Sequence, residues 1–259
     1  MKTRGYQKDF YNLSPKLHDS SSRQEKAEKI LQIIKLVNIN LGDLACLDIG
    51  CSSGMITSYV QPHFKKVVGI DYDQIGLDSI SAKQKSMASF VRGDAMQLPF
   101  PNESFDVIIC AQVYEHVPND LVLFSEIDRL LKSNGILCFS GPNKLFPIEP
   151  HYNLPFLHWL PQNLADTFLK LTNKGDHFYE RTRTLWNLRN IFYKYNIYDM
   201  SLPVILFYAN KNRSPIINRF LLGIPTSIMK LFFVFLPSIN WILIKPLDSH
   251  NRTIYQKYG

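Results

Sequence analysis

Residues 47–54 read Leu-Asp-Ile-Gly-Cys-Ser-Ser-Gly, and this stretch decides the fold. An apolar run from Leu44 leads into Asp48, glycines follow at Gly50 and Gly54, and a helical pattern begins beyond them. Glycine lets the chain turn sharply and lets a ligand approach the backbone closely. The free N–H groups of the new helix attract a negatively charged group. Downstream, Lys66–Ile70 reads as a buried strand with Asp71 at its tip. A carboxylate there can accept two hydrogen bonds from a ribose diol. Strand, glycine turn, helix, strand and acid together describe a nucleoside-binding α/β unit. A dinucleotide fingerprint would need G-x-G-x-x-G, but Cys51, Ser52 and Ser53 separate the two glycines. Asp48 would also repel a pyrophosphate, whereas it suits a cationic ammonium.

Four segments extend the pattern in order: LDIGCSSG (47–54), VVGID (67–71), FVRGDAMQLPFPNESFDVIICAQVYEHV (90–117) and EIDRLLKSNGILCFSGPN (126–143). On these the chain resembles the class I S-adenosylmethionine (SAM)-dependent methyltransferases, in their small-molecule, type 11-like group. The match is close over 44–143 and loose elsewhere, and Ser52 stands where that family usually carries a further glycine. The resemblance implies an α/β fold: a Rossmann-like, seven-stranded, mostly parallel sheet with helices on both faces, its last strand antiparallel, and an α-helical cap insertion. It implies SAM as cofactor and S-adenosylhomocysteine as product. Asp48, Gly50, Cys51, Ser52 and Gly54 would shape the turn and seat the methionyl end. Asp71 would take the ribose hydroxyls, with Tyr72 on the adenine. Asp94 would accept from the adenine amino group beside the Ala95 backbone. Ala111 and Gln112 would meet the methionyl part.

The reacting groups should meet at Gln112-Val113-Tyr114-Glu115-His116. His116 is the candidate catalytic base, because imidazole titrates near working pH, with Glu115 beside it. The plainer alternative is that both bond to backbone and shape the loop. Some related quinone-pathway O-methyltransferases hold a metal here with two acids and a histidine. Gln112 replaces the first acid in this chain, so no metal is expected. The cap histidines His151, His158 and His177 read as structural or surface residues.

The 259 residues suffice for one large core or a core plus cap. Three segments are expected: an N-terminal helical segment (1–40), the SAM-binding core (41–143), and a cap with sheet-completing strands (144–259). Cys46, Cys51, Cys110 and Cys138 form no CxxC pair, so neither a zinc site nor a disulfide framework is suggested and reduced, cytoplasmic thiols are expected. MKTRGYQKDF lacks the apolar core of a secretory signal. Charge is uneven. Residues 1–150 hold 16 basic and 17 acidic side chains, whereas 151–259 hold 13 and 5. The basic half can face an anionic acceptor, a membrane surface or nucleic acid.

Along the chain, Ser22 and Glu25 have capping-box spacing ahead of an apolar stripe through Ile30, Ile33, Ile34 and Val37. Strands are predicted at 44–49, 66–71, 88–92, 105–110, 136–140, 198–207 and 239–245, and helices at about 73–86, 119–132, 162–172 and 184–195. Residues 143–180, rich in proline and aromatics, are too long for a simple connection and read as a cap over the pocket, joined by 210–238. Residues 220–244 carry one charge, Lys230. They are long enough to span a bilayer, but Pro225 and Pro237 interrupt them, and a central lysine costs roughly 2.5–3.5 kcal/mol on insertion scales. A helix that lies on a membrane or lines a greasy acceptor channel is favoured over a spanning one, with a plain core or dimer helix as the other alternative; the peripheral contact would run through 214–238, at the inner face of a membrane.

The expected function is methyl transfer to a small-molecule acceptor, lipid-like or sugar-linked. Twenty of the 33 aromatics lie beyond residue 150, which suits a greasy acceptor. A non-catalytic, membrane-peripheral SAM-binding scaffold is the alternative from another class. Nucleic acid is disfavoured as a partner, since Ala111-Gln112-Val113-Tyr114 replaces the Asn-Pro-Pro-Tyr-type motif of base and amide methylation.

Overall fold

A computed structural model describes residues 10–13, 19–37, 39–211 and 234–247. Its sheet has seven strands in the order β3-β2-β1-β4-β5-β9-β8. They are β1 (Ala45–Ile49), β2 (Lys66–Asp71), β3 (Ser89–Arg92), β4 (Phe105–Ala111), β5 (Leu131–Pro142), β8 (Asn196–Asp199) and β9 (Ser238–Ile244). Strands β1 to β5 run parallel, and β9 pairs antiparallel with both β5 and β8. The expected fold class is therefore present. The chain order reverses between β1 and β4, and in open α/β sheets a ligand crevice opens beyond the strand ends at such a point.

The strands are apolar on both faces because helices cover both. Leu47, Ile49, Ile108, Cys110, Leu137 and Phe139 point to one side, against Leu123, Phe124 and Ile127 of α6 (Asp120–Leu130) and Leu188 of α8 (Leu185–Ile191). Cys46, Val107, Ile109, Cys138 and Ile242 point to the other. There α2 (Ser20–Lys35) lays down Ala27, Ile30, Ile33 and Ile34. Alternation of period two along a strand sorts neighbours to opposite faces. All four cysteines are buried and free.

Several boundaries differ from the sequence expectation. Helix α2 is capped by Asp19, whose side chain accepts from Ser21 N at 3.0 Å, so the Ser22–Glu25 box is not used. The helix expected over 73–86 is two short ones, α4 (Gln74–Asp78) and α5 (Ala82–Met87). Ser81 and Gln84 form a capping box that restarts the second. Strand β5 is longer than expected and its register shifts opposite Phe105 and Val107.

The largest correction is at 198–207. Only Tyr198 and Asp199 of that run are strand, and Ser201–Lys211 is a helix, α9. Asp199 accepts from Ser201 N at 2.9 Å, and Pro203 sits in the first turn. Proline cannot donate to a sheet ladder but fits the start of a helix.

Within 144–180, a hairpin pairs β6 (Ile148–Glu149) with β7 (Leu154–Pro155), followed by α7 (Gln162–Leu171). Leu154, Leu157, Ala165, Leu169 and Phe178 make a small core of their own. Residues 214–233 of the expected membrane-contact segment lie outside the described residues, and 238–244 of the apolar run is the buried strand β9. Among the described residues, no helix is long and apolar enough to cross a membrane.

Candidate active site

A cavity of about 270 Å³ opens beyond the C-terminal ends of β1, β2 and β4. The turn after β1 shapes its floor. Gly50 has φ +76°, and a Cβ there would stand 2.6 Å from Val113 Cγ2. Gly54 (φ +67°) opens α3 (Met55–Val60) with the Phe90 ring 2.6 Å from where a Cβ would be. Ser52, at φ +50°, holds a left-handed conformation without being glycine. The family preference for glycine at that position has this backbone reason.

Asp71 accepts from Ser52 N at 2.7 Å and Asp73 N at 2.8 Å. Burial raises its pKa while those two backbone bonds pull it down. Each carboxylate oxygen keeps a further lone pair for a ligand hydroxyl. Gly50, Ser52, Asp71, Tyr72, Ala95, Ala111, Gln112 and His116 all line the cavity. The fold thus brings together eight of the sequence-selected residues from four separate loops.

The others stand behind the lining. Asp48 is buried and accepts from Thr57 Oγ1 at 2.6 Å. Cys51 packs with Leu77 and Ile80. Asp94 accepts from Met96 N at 2.6 Å, turning the chain after β3. Glu115 is fully buried below His116.

Burial, resisted by the Thr57 bond, pushes Asp48 up to about 7. An unfolded aspartate titrates near 3.9. The native state therefore keeps a proton that the unfolded chain loses as pH climbs from about 4 to 7, and stability falls across that window. The unliganded protein should melt lower at pH 8 than at pH 5, and Asp48→Asn should make that drop shallower. A thermal-melt series at several pH values checks this, and an unchanged slope counts against it.

Phe10, Arg23, Lys26, Val117, Pro150 and His151 also line the cavity, and the sequence reading had not selected them. Arg23 and Lys26 come from one face of α2, three residues apart. Burial lowers the Arg23 pKa, and the charges of Asp48 and Asp71 oppose that. The polar i, i+3 pair beside an apolar stripe was the available signal. Phe10 stacks on His116 with centroids 4.7 Å apart.

The far end of the cavity is a titratable cluster. Burial and the neighbouring His151 hold His116 down to about 3. Burial pushes Glu115 up to about 7, against the attraction of His151. His151 meets the His116 ring edge-on, with centroids 5.0 Å apart. Its Nδ1 lies 2.7 Å from Glu149 Oε1. Burial would lower the His151 pKa, but that bond and the charges of Glu115 and Glu180 raise it.

This loop is fixed from above by the chain after the cap. Arg181 N donates to Glu115 O at 2.9 Å. The buried Tyr114 hydroxyl donates to Pro142 O and accepts from Arg183 N. Arg183 in turn holds Asp120 through two nitrogens.

The family model described as a methyltransferase domain matches residues 47–139. A demethylmenaquinone methyltransferase of Staphylococcus saprophyticus is 30% identical over 162 residues, which are 59% of this chain and 69% of that protein. The chain belongs to the class I SAM-dependent methyltransferases. A ubiquinone biosynthesis O-methyltransferase of Actinobacillus pleuropneumoniae is 30% identical over 146 residues, 52% of this chain. This methyltransferase chain spans 57% of that relative's length. Among solved structures, the YcgJ protein of Bacillus subtilis superposes with a TM-score of 0.54 at 18% identity, covering 85% of this chain and 99% of its own. That likeness is one of fold.

The family's cofactor, SAM, fits the residues present. The Asp71 carboxylate, an acceptor that ribose hydroxyls would suit, and the cationic Arg23 line the same cavity. Gly50 and Ser52 border the cavity, and a Cβ on Gly50 would run into Val113.

Proposed function

We propose that this chain transfers the methyl group of SAM to a hydroxyl-bearing small molecule. One observation carries the reading: a single cavity runs from Asp71, the ribose acid, to His116 and His151. Cofactor and acceptor can therefore meet in one cavity. When bound, SAM supplies an electrophilic methyl on a cationic sulfur. Asp71 would hold its ribose and Arg23 its carboxylate, with Asp48 acting through the turn it supports. Phe10 and Val117 would exclude water along the path. Holding the nucleophile behind the methyl supplies most of the rate, because the displacement needs alignment above all. Loss of the sulfonium charge during transfer is favoured by an apolar wall.

At neutral pH His116, held down to about 3, is uncharged, and its ring nitrogen can accept a hydrogen bond that orients an acceptor hydroxyl without taking its proton. Two relatives, one named for ubiquinone biosynthesis and one for demethylmenaquinone, support a greasy, ring-bearing acceptor here. Peripheral membrane contact through 214–238 belongs to the same proposal, as the way a chain with one charge in 220–244 would reach such an acceptor.

The test uses methyl-labelled SAM, an extract of the native host and Asp71→Ala as control, with products split into organic, aqueous and macromolecular fractions. Label should appear in the organic fraction. Label confined to the aqueous or macromolecular fraction overturns the greasy acceptor. SAM binding without label in any fraction above the control overturns the enzyme reading in favour of a binding protein.

A further inference from the structure

A second cavity, of about 350 Å³, is walled by the cap and by the run 180–183 that leads into α8. That volume is in the range of small-molecule sites. It shares no lining residue with the first cavity. Glu180 stands between the two. It lines the second cavity, and its Oε1 is 4.0 Å from Nδ1 of His116, which lines the first. The wall is tied down on two sides. Lys144 N, just after β5, donates to Arg183 O at 3.1 Å, and the Arg183 guanidinium holds Asp120 of α6 through two nitrogens.

Residues lining this cavity carry three buried polar atoms without a hydrogen-bond partner: His158 Nδ1, Glu180 Oε2 and Thr182 Oγ1. His158 is 5% exposed and Glu180 4%. A buried polar atom left without a partner costs its full desolvation, and native chains keep few of them. What each atom needs is defined. His158 Nε2 donates to Phe146 O at 2.8 Å, so in the neutral ring Nδ1 carries the lone pair. Burial holds the His158 pKa below its ordinary value, which keeps that ring neutral near pH 7. Glu180 Oε2 accepts as a carboxylate oxygen, and the Thr182 hydroxyl both donates and accepts. Two acceptors and a hydroxyl around one space call for a partner with several O–H groups of its own.

Charge adds a second requirement. Lys144 and Arg181 also line the cavity. Arg181 donates to Pro118 O at 3.0 Å, and among the described residues neither it nor Lys144 is in an ion pair, whereas Arg183 is matched by Asp120. Two unmatched cations favour an anionic group on the same partner. Leu160 and Phe178 leave an apolar patch in the wall, which suits the C–H face of a ring.

We propose that this second cavity binds a polyhydroxylated anion, a sugar phosphate or sugar acid. Its hydroxyls donate to His158 Nδ1 and Glu180 Oε2 and exchange a bond with Thr182 Oγ1, while Lys144 and Arg181 meet its charged group. The site stands on its own observations and holds whether or not the first cavity transfers a methyl group. With Glu180 in the common wall, a ligand here lies directly behind the acceptor end of the first cavity.

The test is calorimetric titration of the full chain, with S-adenosylhomocysteine present to fill the first cavity. The probes are glucose 6-phosphate, mannose 6-phosphate, fructose 6-phosphate and glucuronate, set against glucose for hydroxyls alone and inorganic phosphate for charge alone. At least one of the four is expected to bind once per chain, and at least tenfold tighter than glucose or inorganic phosphate. Thr182→Val removes the hydroxyl and keeps the shape, and Lys144→Met removes the charge and keeps the length. Each should weaken that probe at least tenfold. Affinity for S-adenosylhomocysteine should stay within threefold, because neither residue lines the first cavity. A melting curve checks each fold, and Lys144→Met decides the matter if Thr182→Val does not fold. A phosphate preferred over glucuronate, or the reverse, names the charged group and upholds the site. Three results overturn the inference and leave a water-filled gap under the cap: no binding by any of the four, glucose or inorganic phosphate binding as tightly as they do, or binding that Lys144→Met leaves unchanged.

Discussion

Replacing Asp71 with alanine is expected to weaken SAM binding by at least a hundredfold. The carboxylate closes the β2 tip by accepting from Ser52 N and Asp73 N, and its free lone pairs point to the nucleoside end of the cavity. Hydrogen bonds to charged groups contribute about 1.5–3 kcal/mol each. Two ribose hydroxyls would therefore account for about 3 kcal/mol or more, and each 1.4 kcal/mol is tenfold in affinity. Asp71→Asn separates the two roles. It keeps one acceptor oxygen for Ser52 N or for a hydroxyl but not the full set, so an intermediate loss is expected. Equilibrium dialysis with labelled SAM measures both variants. Unaltered affinity in Asp71→Ala would remove Asp71 from the cofactor site and with it the orientation of the whole cavity.

Gly54→Ala carries the second large effect, this time on the fold. A Cβ at 54 would stand 2.6 and 2.8 Å from two ring carbons of Phe90, so that ring must move from its place against Cys51, Leu77 and Ile80. The residue also holds φ +67°, where an L side chain costs about 1 kcal/mol or more. Overpacking in a tight core adds about 1–3 kcal/mol. Together about 2–4 kcal/mol is expected, a large part of the stability of a typical domain. The two causes can be separated. Phe90→Leu removes the ring edge, so the double variant Gly54→Ala/Phe90→Leu should recover the packing share and keep the backbone share. Urea denaturation of the four proteins gives the coupling, and full additivity of the single effects would refute a clash at that ring.

The frame of the molecule was legible because it rests on local rules. Two glycines in a tight turn, an acid at the tip of β2 and apolar runs of strand length follow from nearest-neighbour sterics and burial. They gave the turn at 50–54, Asp71, and five parallel strands close to their observed positions. Where a local signal was ambiguous, the reading failed. Leu202-Pro203-Val204-Ile205-Leu206-Phe207 is apolar enough for a strand, and periodicity alone does not separate a short buried strand from a helix. Pro203 was the discriminating residue. Likewise Ser22–Glu25 has capping-box spacing, yet Asp19 competes for the helix start and wins with an oxygen that accepts from Ser21 N.

The candidate site was legible in half. The sequence and its family resemblance picked out Asp71, Ser52, Gln112 and His116, which lie beyond the ends of adjacent strands, and parallel pairing brings such ends together. It could not pick out Arg23, Phe10 or His151. Arg23 reaches the cavity because it lies seven residues before Ile30, on the face by which Ile30, Ile33 and Ile34 dock α2 on the sheet. His151 lies 35 residues beyond His116 in the chain, and only the folding-back of the cap sets their rings 5.0 Å apart. By itself the sequence determined the α/β sheet, the glycine turn and the acid at the tip of β2, since those depend on contacts between near neighbours. The tertiary structure alone decided which cations, which aromatic ring and which buried carboxylates surround the reacting end. Those contacts join segments 35 to more than 100 residues apart, and no periodicity along the chain records them.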